Sequence, residues 1–186
     1  MTNSYSSYTD IELAQMISSG SDAEAGFKEI YRRYSGSVHS YISRIMDREE
    51  IVEDLFQDTF IKFYENINGE RDSINVPGFL ITIARNLCLN AKRARKPTVD
   101  LDSVEIAWQD GTSYENQELL DLINRSLDLL DEEYREAFVL REYSGLSYQE
   151  IADACNTSLS NAKSRVFRAK QKIKAILQPY FKDLCQ

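Results

Sequence analysis

The chain has 186 residues, 42% of them apolar, and a formal net charge of −8 at pH 7, which supports packed cores and excludes disordered and fibrous classes. A single histidine, His39, and three widely spaced cysteines, Cys88, Cys155 and Cys185, give zinc clusters, disulfide frameworks and histidine acid–base chemistry almost no raw material, so no metal or cofactor is expected. Residues 1–8 are polar and uncharged, and no apolar run approaches the length of a membrane span; a cytoplasmic protein is expected.

Taken in chain order, Thr9 with Glu12 and Ser21 with Glu24 have capping-box spacing and predict two helices. The second reaches about Met46, with Phe27, Ile30, Tyr34, Val38, Tyr41 and Ile45 on one face. A third helix, from about Glu49 to Ile67, buries Val52, Leu55, Phe56, Phe60 and Phe63. Its period then turns Glu50, Asp54, Gln57, Asp58, Ile61 and Glu65 outward. After a loop to Val76, Pro77 suits the first turn of a fourth helix. That helix is expected to pack Phe79, Leu80, Ile83, Ala84, Leu87 and Ala91 inward and to show Thr82, Arg85, Leu89, Lys92, Arg93 and Lys96, with Asn86 at the margin.

From Pro97 to Asn116 the periodicity stops. Asp100, Asp102, Glu105, Asp110 and Glu115 occur there without a cation, the composition of an extended acidic linker. Helices resume with about Glu115–Leu130 and Asp131–Tyr143. No segment alternates like a strand. The fold class expected is all-α: a helical domain over 1–96, a linker over 97–114 and a second helical domain over 115–186.

Three local signals in that second domain agree on a helix-turn-helix. Gly145 suits a left-handed helix end, Ser147 and Glu150 form a capping box opening a short helix to about Ala154, and Cys155–Ser158 make the turn. From there Leu159, Ala162, Val166, Ala169, Ile173 and Leu177 recur at helical spacing as an inward face. The opposite face carries Ser160, Ser164, Phe167, Arg168 and Gln171, flanked by Lys163 and Lys174, with no carboxylate between Leu159 and Lys174. Cations for phosphates, arginine for guanine edges, hydroxyls and amides for other edges and an aromatic for the thymine methyl suit the major groove. A second basic block, Arg85 to Lys96, also lacks acids. With the remaining chain acidic, DNA binding by the isolated protein should be weak, and a partner is required.

The segments Ile51–Phe63 (IVEDLFQDTFIKF), Phe79–Arg93 (FLITIARNLCLNAKR), Gly145–Ala152 (GLSYQEIA) and Ser160–Lys170 (SNAKSRVFRAK), together with Phe27–Tyr34 (FKEIYRRY), resemble in order the conserved regions of extracytoplasmic-function (ECF) bacterial RNA polymerase sigma factors. The resemblance implies a dissociable subunit that binds core RNA polymerase, opens the −10 promoter element with its first domain and reads the −35 element with its second. It implies polymerase contacts at Asp54, Gln57 and Asp58, to which the outward face of the same helix adds Glu50 and Ile61. The −10 contacts implied are Arg85, Asn86, Lys92 and Arg93, and the −35 contacts implied are Lys163, Ser164, Phe167 and Arg168, to which the outward helix face adds Ser160 and Gln171. An anti-sigma factor is a usual partner in the group. Phe79 and Thr82 stand where many members have Trp and Arg, and Arg71, Ser73 and Asn75 are candidates for capturing an unpaired base. Two rival classes are a stand-alone helix-turn-helix regulator and an enzyme; the second lacks a phosphate loop, spaced metal ligands or a nucleophile elbow.

Overall fold

A computed structural model describes residues 5–46, 48–67, 75–94 and 122–184. All regular structure among them is helical, and the chain divides into two units at residues 101 and 102. The acidic linker with Trp108, as well as Arg71, Ser73, Lys96 and Cys185, lies outside the described residues.

The first unit holds α1 (Asp10–Ser19), α2 (Ala23–Ile45), α3 (Glu49–Asn66) and α4 (Val76–Ala94). The Thr9/Glu12 box forms: the Thr9 hydroxyl accepts from the Glu12 amide at 3.3 Å, and the Glu12 carboxylate accepts from the Thr9 amide at 2.6 Å. That amide bond, with the Thr9 hydroxyl, holds the Glu12 carboxyl below its ordinary range. Gly20, at φ +71°, ends α1. The Ser21/Glu24 box does not form. Asp22 is the N-cap residue of α2 and makes no side-chain cap bond, because the tight turn after Gly20 starts the helix one residue later and the Asp22 carboxylate accepts from the Tyr5 hydroxyl at 2.5 Å.

A polar cluster then ties α1 to α2. Glu29 is only 2% exposed yet carries charge, so it must be compensated. Arg32 donates to it at 2.9 and 2.7 Å and Arg33 at 2.9 Å. Arg33 also reaches Asp10 at 2.9 Å and the carbonyls of Tyr5, Ser6 and Tyr8. Tyr34 donates its hydroxyl to Asp10, and burial followed by that bond raises the phenol pKa. Close α1–α2 packing explains Gly26, where a Cβ would meet the Leu13 carbonyl at 2.9 Å.

The apolar core of this unit is formed by Ile30, Val38, Tyr41, Ile42, Phe63, Val76, Leu80, Ile81, Ala84 and Cys88. The α4 face is therefore rotated from the sequence expectation. Ile81 and Cys88 are buried, whereas Phe79, Ile83, Leu87 and Ala91 are half-buried. Phe79 packs beside the Phe63 ring of α3 in a tilted arrangement at 5.9 Å, and the centre of the packed stripe passes through Leu80, Ile81, Ala84 and Cys88.

The second unit comprises a helix over 122–128 (α5), then α6 (Glu132–Glu142), α7 (Tyr148–Ala154) and α8 (Leu159–Leu184). Leu127, Leu130, Ala137, Val139, Leu140, Leu146, Ile151, Ala152, Ala162, Val166, Ala169, Ile173 and Leu177 form its core. Leu159, expected inward, is 39% exposed. It lies at the edge of the apolar arc in the first turn of α8, and full burial begins one turn later at Ala162.

Candidate nucleic-acid and partner interfaces

The helix-turn-helix is set by local backbone chemistry. Gly145, at φ +71°, turns the chain after α6, the Leu146 amide bonds back to the Leu140 carbonyl at 3.0 Å, and Leu146 itself is buried. The Arg141 guanidinium donates to the Leu146 carbonyl at 2.7 Å and lies 4.8 Å from the centre of the Tyr148 ring, which fixes this corner. Ser147 and Glu150 form the capping box that opens α7. The turn to α8 passes through Asn156, at φ +50°, a residue type that tolerates the left-handed region. The Ser158 hydroxyl accepts from the Asn161 amide at 3.1 Å and starts α8.

The outward face of α8 presents Ser160, Lys163, Phe167, Arg168 and Gln171 to solvent, with Ser164 half-buried among them. Phe167 is 62% exposed, an arrangement that no internal packing explains. The flanking cations are not equivalent. Arg165 pairs with Glu133 at 2.8 Å, Lys170 with Glu142 at 2.8 Å and Lys172 with Asp131 at 2.5 Å. The hydrogen bond from Lys172 holds the Asp131 carboxyl below its usual range. Lys163 and Lys174 have no ion-pair partner among the described residues. Sequence spacing identified the face but not this division, because the acids come from α6 at separations of more than twenty residues.

In the first unit, Glu50, Asp54, Gln57, Asp58 and Ile61 are all exposed along one stripe of α3. Ile61 is 53% exposed and Tyr64, which the sequence reading passed over, 49%. Tyr64 meets Phe27 edge-to-face at 5.6 Å, and Tyr31 lies 4.8 Å from Phe60, so aromatic surface continues beside the acidic stripe.

On α4, Asn86 and Arg93 are exposed, and Arg85 and Lys92 are half-buried. Asn86 lines a cleft of ≈ 390 Å³ between α3 and α4, with Lys62, Asn66, Phe79, Ile83, Leu87 and Asn90. Its apolar floor of Phe79, Ile83 and Leu87 is what the rotation of α4 leaves uncovered, and amide and ammonium groups form its rim. Asn75 is exposed and spends its side-chain oxygen on the Gly78 amide at 3.0 Å. No cluster of three or more metal-ligating side chains occurs among the described residues, and no described helix is long and apolar enough to cross a membrane.

A helix-turn-helix with a cationic, aromatic outward face, in a chain whose other helical unit bears an acidic stripe and a basic helix, has the make-up of a two-unit DNA-binding protein. Residues 30–98 match the family model for Sigma-70 region 2 and residues 120–173 that for Sigma-70 region 4. The ECF RNA polymerase sigma-E factor of Escherichia coli (strain K12) is 31% identical over 185 residues, covering 92% of this chain and 95% of that protein. RNA polymerase sigma factor SigZ of Bacillus subtilis (strain 168) is 29% identical over 153 residues, 81% and 86% of the two chains. The sigma factor RpoE of Bartonella quintana, solved in complex with the anti-sigma factor NepR, superimposes with a TM-score of 0.70 at 27% identity, covering 82% of this chain and 96% of that one. CnrH, solved with the cytosolic domain of CnrY, shares the fold with a TM-score of 0.69 at 22% identity, over 91% and 97% of the chains. The chain belongs to the ECF RNA polymerase sigma factors.

Proposed function

We propose that this chain is a dissociable sigma factor that joins bacterial core RNA polymerase and directs initiation at promoters carrying a −10 and a −35 element. The observation that carries this reading is the ordered match of both sigma regions along one chain, together with a 31% identical relative aligned over nearly its full length. It acts by binding and positioning, with no catalytic step of its own, in the cytoplasm where polymerase works.

We assign polymerase binding to Glu50, Asp54, Gln57, Asp58 and Ile61. Their support is a shared exposed stripe that ends on an apolar member, Ile61, with the exposed Tyr64 beside it, a mix of apolar and polar groups that suits a protein interface. Promoter opening falls to Arg85, Asn86, Lys92 and Arg93. The cations would hold the backbone of a separated strand, and the cleft beside Asn86, apolar below and amide-rimmed above, suits a base removed from the stack. Duplex reading falls to Ser160, Lys163, Ser164, Phe167, Arg168 and Gln171 on α8. An anti-sigma factor is a further partner, by likeness to the Bartonella quintana sigma factor solved with one.

Run-off transcription with purified core polymerase, with and without the protein, tests the reading: promoter-specific transcripts are expected only when both are present. A stand-alone regulator would instead bind specific duplex equally tightly with and without core enzyme in a gel-shift.

A further inference from the structure

The two arginines of α8 are held by chemically different partners. Arg165 lies against a carboxylate, Glu133, which neutralises it. Arg168 donates from Nη1 to the hydroxyl of Tyr134 at 3.2 Å, a neutral acceptor that occupies one guanidinium donor without an ion pair, while Glu133 acts on it only through space and more weakly than the Tyr134 bond. Tyr134 sits in the first turn of α6 and is half-buried. It is fixed in turn, since the Lys172 ammonium lies 4.7 Å from the centre of its ring while bonding Asp131. The phenol is thus clamped between the helix it belongs to and a lysine one turn beyond Arg168.

An exposed arginine on a helix samples many rotamers, and a base contact that needs two parallel donors must first remove that freedom. A neutral acceptor fixed on the neighbouring helix removes part of it in advance, and the donors it does not use remain available for a two-point contact with a base edge. A carboxylate at the same place would orient the group equally well but would cancel the charge that attracts DNA. A phenylalanine would leave the group unoriented.

We infer that Tyr134 is a positioning residue for −35 specificity, holding the Arg168 guanidinium in register for one base pair. The inference rests on the assignment of Arg168 to base reading. The test uses full-length protein with core polymerase, selecting from duplex promoters randomised across the −35 element, and compares the wild type with Tyr134→Phe, Arg168→Ala and the double variant. Phe keeps the ring under Lys172, so melting temperature should be unchanged.

Arg168→Ala should abolish base preference at one −35 position. Tyr134→Phe should relax preference at that same position by about two- to tenfold, the net worth of one hydrogen bond, by lowering affinity only for sequences that carry the preferred base there, and should leave the other positions alone. In the Arg168→Ala background, Tyr134→Phe should add nothing. The inference is overturned if Tyr134→Phe leaves that preference intact, weakens all sequences alike, or acts equally in the absence of Arg168. If Arg168→Ala itself changes no position, the base-reading assignment fails first and the inference goes with it, a result distinguishable from the others.

Discussion

Truncating Ile61 isolates the apolar part of the proposed polymerase interface. The side chain is 53% exposed on the free protein. Full burial of an isoleucine is worth about 1.5–3 kcal/mol, so covering its exposed half on binding should contribute about 0.8–1.6 kcal/mol. Ile61→Ala should therefore weaken core binding by about four- to fifteenfold. Because the side chain faces solvent in the free protein, stability should shift by no more than about 0.5 kcal/mol. Salt separates this contribution from its neighbours. A loss of apolar burial should be the same at low and high ionic strength. The loss on changing Asp54 or Asp58 to Asn should shrink as salt rises and the screening length falls below about 10 Å. The assay is competition for core polymerase against a labelled sigma factor, with circular dichroism to check the fold. Unchanged core affinity for a folded Ile61→Ala protein would remove this stripe from the interface, and a loss that vanished with added salt would refute the apolar mechanism.

Lys163→Ala should weaken holoenzyme binding to all −35 sequences alike and reduce the slope of log affinity against log salt by about one, as for a single phosphate contact; filter binding across a salt series measures it. Glu29→Ala should destabilise the first unit by about 3 kcal/mol, the lower end for a broken buried ion pair, because Arg33 keeps Asp10 and three carbonyls and Arg32 already reaches solvent; urea denaturation reads this directly. Tyr34 has a folded-state pKa raised first by burial and then by Asp10, so its contribution is fully present below the unfolded value of about 10 and is lost as pH rises toward the higher folded one. The stability gap between the wild type and Tyr34→Phe should therefore be constant near neutrality and narrow above pH about 10, and a gap that widened there would contradict the assignment.

Features decided within a few residues were legible in the sequence. The Thr9/Glu12 and Ser147/Glu150 boxes, the left-handed Gly145 and the outward stripe of α3 all depend on spacing along one helix or turn, and all form. Where a second element decides, the sequence was a poorer guide. Ser21/Glu24 has the same spacing as the two boxes that form, but Tyr5 engages the Asp22 carboxylate from outside the helix. The face of α4 was displaced because hydrophobic periodicity gives a direction only to within the width of the apolar arc, and packing against the neighbouring helices settles which residues within that arc are buried. Glu29 carries a charge, which ordinarily marks a surface position. Its burial depends on two arginines and a neighbouring helix.

The net charge of −8 also acquires a physical meaning from the pairing around α8. Arg165, Lys170 and Lys172 are paired with Glu133, Glu142 and Asp131 of α6 and its N-cap, so the field that the helix would offer a duplex in the proposed assignment comes mainly from Lys163, Arg168 and Lys174. Each cation removed from phosphate binding lowers non-specific affinity and its salt dependence. It leaves base contacts, which depend on geometry, largely untouched. A protein that searched DNA alone would lose by this exchange, since non-specific attraction is what holds it near the duplex. A subunit delivered by polymerase gains, because the enzyme supplies the proximity and the α8 face, in the role proposed for it, then has only to discriminate. The acidic side of α6 is consistent with a reader that depends on its partner for affinity and contributes selectivity.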